Sequence, residues 1–172
     1  MRKVLFIFGQ LTDTDVDWLA KHGRRRRLPA GSTLIHAQVS VDTLYIVLEG
    51  QLSVRQRSTG KEIARLGAGE IVGEMSFVDA RPPSATVASA TDVVVYAISK
   101  DQLQDHLDRD VAFAARFYKA VATFLSDRVR QATALDEGDP PESVGELDAS
   151  VLDNLDRAGA RFAGFGRQLL DG

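Results

Sequence analysis

The sequence of 172 residues contains no cysteine and only three histidines. Without cysteine, the chain can form neither a disulfide framework nor a thiolate metal site. His22, His36 and His106 are far apart, and no metal-binding spacing such as His-x-His accompanies them. A metal-dependent jelly-roll enzyme is therefore disfavoured, and we expect no metal site.

Long apolar runs are missing as well. The longest, VLFIF at 4–8 and VVVYAI at 93–98, are much shorter than the about 20 residues of a membrane-spanning helix. The apolar run after Arg2 and Lys3 is short and no small-residue cleavage site follows it, so a secretion signal is not indicated. We expect a cytoplasmic protein without a membrane span, in keeping with the absence of cysteine.

Catalytic motifs and a strong net charge are also absent. The chain has no nucleophile elbow, phosphate-binding P-loop or dinucleotide fingerprint, so we expect it not to be an enzyme. A net charge of −3 gives no general attraction to nucleic acid. The one basic cluster, Arg24–Arg27, would alternate between the two faces of a strand, and either protects a sheet edge or contacts an anionic partner.

The spacing of the apolar residues changes along the chain. Thr12 and Asp15 form the signature that begins a short helix, and Gly23 can end it in the left-handed conformation. From residue 24 to 99, short alternating segments are separated by turn sequences such as Glu49-Gly50. This pattern predicts a mainly β fold with flanking helices, an antiparallel barrel or jelly roll. The strands are expected at 33–36, 43–48, 51–57, 61–66, 86–88 and 92–98.

Helical periodicity returns after Ser99. This residue can cap a short helix that runs to about Leu107, and a longer helix is expected from about Asp110 to Ala134. The long helix carries an apolar stripe that either packs on the barrel or pairs with a second copy. The stripe consists of Phe113, Phe117, Val121, Phe124 and Leu125, with Val129 extending it.

The segment after the long helix predicts a linker and a final helix. Prolines, glycines and acids dominate EGDPPESVGE, which places a linker at 137–148 and a C-terminal amphipathic helix at 149–171. Because several glycines weaken this helix, it needs a partner surface, either its own barrel or a second copy. Its apolar residues follow a heptad spacing, namely Val151, Leu155, Ala158, Phe162, Phe165 and Leu169.

The loop at 72–87, VGEMSFVDARPPSATV, has the features of a cradle for an anionic group. Gly73 lets a backbone approach a ligand, and Glu74 supplies a carboxylate. Ser84, Ala85 and Thr86 are small enough to leave their amides open. However, Pro82 and Pro83 occupy the place where a positively charged side chain would be expected in such a cradle. Glu74 has a second interpretation, since a glutamate that begins a short helix can merely satisfy local amides.

Three segments, LPAGSTLIHAQVSVDTLYIVLEGQLSV, LGAGEIVGEMSF and RPPSATV, together with the element order resemble the cyclic-nucleotide-binding domain family. That family includes catabolite-activator regulators, kinase regulatory subunits and gated channels. The resemblance covers about residues 10–134 and implies an eight-stranded β-roll followed by a short and a long helix. We expect a domain at 1–136, with the roll at 24–99 and helices at 100–136.

The resemblance implies roles for the loop residues. Glu74 would accept the ribose 2′-hydroxyl of cyclic AMP or cyclic GMP. The short helix that begins at Gly73 and includes Met75 and Ser76 would hold the cyclic phosphate, together with the amides of Ser84 and Ala85 and the amide or hydroxyl of Thr86. The arginine that neutralises this phosphate in the family aligns with Pro83, so binding is expected to be weak or absent. Arg81 and Arg128 are the two cations that could replace it.

The functional prediction is therefore a regulatory or interaction module related to cyclic-nucleotide-binding domains. The alternative is a true sensor for cyclic AMP, cyclic GMP or another anionic metabolite that signals through the long helix. We expect a protein partner or a homodimer, formed through the helices at 110–134 and 149–171. DNA binding is not expected, because no helix-turn-helix follows the long helix and acids outnumber arginines in the tail.

Overall fold

A computed structural model describes residues 8–137 and 149–169 and confirms the predicted roll. Two four-stranded antiparallel sheets face each other, one in the order β1-β8-β3-β6 and the other in the order β2-β7-β4-β5. The strands are β1 (Arg24–Leu28), β2 (Thr33–Ile35), β3 (Thr43–Glu49), β4 (Leu52–Gln56), β5 (Glu62–Leu66), β6 (Ile71–Val72), β7 (Ala85–Ser89) and β8 (Val93–Ser99). The helices are α1 (Asp13–His22), α2 (Glu74–Asp79), α3 (Lys100–Arg109), α4 (Val111–Glu137) and α5 (Ala149–Gln168).

The two central strands of the first sheet, β3 and β8, are buried on both faces. On β3, Tyr45 and Val47 point into the roll, whereas Leu44 and Ile46 pack under the helices. Strands that are covered on both sides need apolar residues at nearly every position, which explains the unbroken run VVVYAI of β8. The basic cluster Arg24–Arg27 lies on β1, an outer strand of this sheet. This position is consistent with the prediction that the cluster protects a sheet edge.

The predicted stripe on the long helix is core, with one correction. Phe113, Phe117, Val121 and Phe124 are at most 2% exposed and pack against the sheet and the other helices. Val129 does not extend the stripe, since it is 65% exposed. Five helical residues after Phe124 correspond to a rotation of about 140°, which turns Val129 away from the core.

Helix α1 begins as predicted but does not end as predicted. The hydroxyl of Thr12 accepts the amide of Asp15 at 3.2 Å, and the carboxylate of Asp15 accepts the amide of Thr12 at 2.7 Å. Gly23 is extended, with φ −105°, so the expected left-handed stop is wrong. Glycine is needed there for another reason, because an added Cβ would lie 2.1 Å from the ring of Tyr96.

The C-terminal helix α5 packs on its own domain. Phe165 lies against Phe8 and Tyr96, with ring centroids 5.2 and 4.8 Å apart, and is buried together with Ala158. Arg161 donates to the carbonyl of Leu11 at 2.8 Å. The side chains of Val151 and Leu155 lie outside the described residues, as do 138–148 of the predicted linker. The predicted domain boundaries therefore stay a prediction.

Two of the three histidines contact the chain's one tryptophan. Trp18 stacks between His22 and His106, with ring centroids 4.2 and 3.7 Å away and interplanar angles of 16° and 5°. His36 is exposed elsewhere, on the segment after β2. Among residues 8–137 and 149–169, no group of His, Cys, Asp and Glu side chains is arranged to hold a metal ion. Over the same residues, no helix combines the length and hydropathy needed to cross a bilayer.

Candidate functional site

A cavity of about 380 Å³ lies between the interior of the roll, helix α2, the loop that follows it and helix α4. Gly73 shapes one end of this cavity. Its φ of 92° is left-handed, and a Cβ would lie 2.9 Å from the carbonyl oxygen of Thr43. Only glycine fits this conformation and close approach without strain, and the tight turn lets α2 begin directly after β6.

The cavity lining contains most of the residues that the sequence singled out. The predicted residues that line it are Gly73, Glu74, Met75, Ser76, Pro83, Ser84 and Ala85, and both accessory cations, Arg81 and Arg128, line it too. Thr86 is not part of this lining. Its hydroxyl accepts the amide of Ala37 at 3.3 Å, because alternation along β7 directs Ala85 and Val87 to the cavity and Thr86 to the other face.

Glu74 and Arg128 form an ion pair across the cavity, joining the first residue of α2 to α4. The Glu74 side chain is 4% exposed, and that of Arg128 is 30% exposed. The guanidinium of Arg128 also lies 5.5 Å from the ring centroid of Phe124. Burial raises the pKa of Glu74 above its ordinary value, although the charge of Arg128 opposes this shift. Glu74 is therefore bound by a cation from α4, a partner that the sequence did not indicate.

Arg81 lines the cavity, but its side chain is mostly exposed to solvent. Its side chain is 84% exposed, and its Nε lies 3.8 Å from a carboxylate oxygen of Asp79. The backbone amide of Arg81 also donates to Asp79, at 3.0 Å. The following Pro82 and Pro83 line the cavity without offering a charge or an N–H group, and the carbonyl of Pro83 accepts the amide of Gln38 at 2.8 Å.

Lys100 is a charged residue near the site that sequence reasoning missed. It is the first residue of α3, it is 9% exposed, and its Nζ has no hydrogen-bond partner in the described part of the chain. Burial lowers the pKa of Lys100, while the charges of Asp42, Glu74 and Asp79 oppose this shift. A single lysine after the apolar strand β8 carries no sequence signal that would have revealed this environment.

An antiparallel roll whose interior opens into a cavity, with helices at the cavity rim, is the architecture of a small-molecule-binding domain. The chain belongs to the cyclic nucleotide-binding domain family, whose model matches residues 25–110. This family and the fold together define a regulatory module of the cyclic-nucleotide-binding type.

Relatives with known sequences or structures are consistent with this assignment. The cAMP-activated global transcriptional regulator CRP of Haemophilus influenzae is 32% identical over 127 residues, which is 72% of this chain and 57% of that protein. An uncharacterised NTE family protein of Mycobacterium tuberculosis is 27% identical over 154 residues, or 90% of this chain. The chain spans only 25% of the length of that second relative.

A solved structure shows the same fold. The crystal structure of a cyclic nucleotide-binding domain from Methylobacillus flagellatus superimposes with a TM-score of 0.71 and covers 86% of each chain. The two sequences are 24% identical, so this likeness concerns the fold.

Proposed function

We propose that the protein is a non-enzymatic regulatory module that has the fold of a cyclic nucleotide-binding domain but binds cyclic AMP and cyclic GMP weakly or not at all. The pairing of Arg128 with Glu74 carries this proposal. Pro83 supplies no charge, Arg81 is directed toward Asp79, and Arg128 is already engaged. Each of the two arginines in the described part of the cavity lining already faces a carboxylate, and only Arg128 is substantially buried.

The energetic consequence can be estimated. Loss of one partner of a buried charge pair costs about 2–5 kcal/mol, which is a factor of about 30 to several thousand in affinity. A site of about 1 μM affinity would thereby become a site of roughly 30 μM or weaker.

We also propose that the module forms a homodimer and that α4 supplies the contact surface. A second side of α4, which adjoins the buried stripe at Leu125, carries apolar residues at alternating spacings of four and three, the pattern of a coiled-coil seam. These residues are exposed or half-buried, and they are Val111, Ala115, Tyr118, Ala122, Leu125 and Val129. The described part of the α5 seam faces its own domain instead, so α4 is the better-supported contact surface.

Titration with cyclic nucleotides tests the ligand proposal. We expect calorimetry and thermal shift to detect no saturable binding of cyclic AMP or cyclic GMP below about 30 μM. Pro83→Arg is expected to improve cyclic AMP binding at least about 30-fold, because it restores a cation beside the small residues Ser84 and Ala85. Ser58→Arg, which adds the same charge in the turn between β4 and β5, is the matched control and should change nothing.

Tight binding to the unaltered protein would contradict the proposal. Saturable binding of either nucleotide in the low micromolar range would support the alternative, a true sensor that closes on an anionic ligand and signals through α4. An unchanged affinity in Pro83→Arg would argue that the missing cation is not what limits binding.

A further inference from the structure

The walls of the cavity are mainly apolar. Residues from both sheets line it. The apolar residues that the strands contribute are Ile35, Val54, Ile63, Leu66, Ile71, Val72, Ala85 and Val87. A volume of about 380 Å³ is within the range of pockets that enclose small organic molecules. Pro82 and Pro83 continue the apolar wall at the corner where a charged group would otherwise be held.

The charged groups of the lining balance one another. Glu74 is paired with Arg128, and Asp79 lies beside Arg81. An entering anion could be met only by Arg81, which is 84% exposed, or would draw Arg128 away from Glu74 and leave a buried carboxylate unpaired. The first contact is weakened by water, and the second leaves an uncompensated charge where water is excluded. An uncharged ligand avoids both penalties and gains from the apolar walls.

The polar end of the cavity lies where α2 begins. Glu74 is an acceptor there when it is ionised, and the hydroxyls of Ser76 and Ser84 belong to the same lining. Arg128 occupies one carboxylate oxygen of Glu74, and a carboxylate has room for more than one donor. A ligand with a hydroxyl or N–H group could therefore be oriented by this end while its apolar part fills the roll.

We propose that this cavity binds an uncharged, mainly apolar small molecule that carries one hydrogen-bond donor. The inference rests on the proposed function, since it gives the ligand class of the same regulatory module. It also explains the double proline as part of the binding wall. In this arrangement the ligand contacts α2 and the ion pair to α4, so its binding is coupled to the position of α4.

Two fluorescent probes with a common skeleton test the charge preference. N-phenyl-1-naphthylamine is neutral and has one N–H donor, whereas 8-anilino-1-naphthalenesulfonate adds a sulfonate to the same rings. We expect the neutral probe to saturate at one molecule per chain, and the sulfonate to bind at least about tenfold more weakly. Equal or tighter binding of the sulfonate, or no saturable binding of the neutral probe, would overturn the proposal.

Two variants test whether the neutral probe binds in this cavity. Ala85→Phe fills the cavity from β7 and should weaken the neutral probe at least about tenfold. Val78→Ser is the control, because Val78 lies in a shallower apolar groove between α2 and α4 that does not include the strands. Loss of binding in Val78→Ser but not in Ala85→Phe would overturn the assignment to the cavity. Circular dichroism should show that both variants remain folded.

Pro83→Arg keeps the test decisive even if Ala85→Phe does not fold. This variant should bind the sulfonate at least about tenfold more tightly than the unaltered protein, and an unchanged sulfonate affinity would count against the charge argument. The measurements also distinguish failure of this ligand assignment from failure of the proposed function. Absence of both probe binding and cyclic AMP binding would overturn the ligand class alone, whereas tight cyclic AMP binding would overturn both proposals.

Discussion

Arg116 on α4 donates to both carboxylate oxygens of Asp15 on α1, with N–O distances of 2.7 and 2.8 Å. The same carboxylate accepts the amide of Thr12 and so closes the capping box of α1. The buried side chain of Asp15 thus caps α1 and anchors α4. Helix α4 is fixed near its start by Asp15 and, three turns later, by Glu74, through Arg128.

Asp15 should make stability sensitive to acid. Burial raises its pKa, but the hydrogen bonds from Arg116 and Thr12 outweigh burial and leave the pKa lowered. Because the folded-state pKa lies below the unfolded value of 3.8, this contribution is present above that value and is lost as the pH falls through the folded-state pKa. Asp15→Asn should lose about 2 kcal/mol near neutral pH and show a shallower acid dependence in urea unfolding. Asp105→Asn, an exposed change on α3, should behave like the unaltered protein.

Removal of Arg128 should destabilise the protein by leaving Glu74 buried without a cation. Breaking a buried pair from one side costs about 3–5 kcal/mol, and we expect about 2 kcal/mol for Arg128→Met because Arg128 is partly exposed. The pKa of Glu74, already raised by burial, should rise further. The folded protein then binds more protons than the unfolded chain, so the free energy of unfolding should fall as the pH rises above 4.5.

A double variant separates the charge effect from lost packing. Glu74→Gln combined with Arg128→Met removes both charges, and it should recover more than half of the stability lost in Arg128→Met. A double variant as unstable as the single one would show that the aliphatic part of Arg128, and not its charge, supports α4.

Lys100 should limit stability, because its amino group is buried without a hydrogen bond. Lys100→Met keeps the length of the side chain and should stabilise the protein by about 1–3 kcal/mol in chemical denaturation. Burial lowers the pKa of Lys100, so the unfolded chain holds the proton more tightly and stability should increase with pH up to about 10.5. The variant should lack this increase. A less stable variant would mean that the charges of Asp42, Glu74 and Asp79 hold the ammonium in place at a net gain.

The seam on α4 predicts a dimer that a single charge disrupts. Ala122→Glu places a carboxylate at the centre of the exposed stripe, and light scattering of the full chain should change from two subunits to one. Ala112→Glu makes the same change on the same helix beside the stripe and should leave the dimer intact. A monomeric unaltered protein at about 100 μM, or equal behaviour of the two variants, would exclude this contact surface.

The sequence predicted the roll well because alternation and turn residues are local signals. Strand β6 was missed since Ile71 and Val72 are its entire length, too short for a period to be visible. Gly23 was assigned to the wrong conformation because its constraint comes from Tyr96, which lies far away in the chain. The contact between Glu74 and Arg128 depends on how α4 crosses α2, and no local pattern in either helix encodes that crossing.

The sandwich of Trp18 between His22 and His106 gives the protein an internal optical reporter. The chain has a single tryptophan, so its emission comes from one place, where α1 meets α3. An indole stacked between two imidazoles should change its emission if the two helices separate. A change in the distance between α1 and α3 can therefore be followed in unlabelled protein.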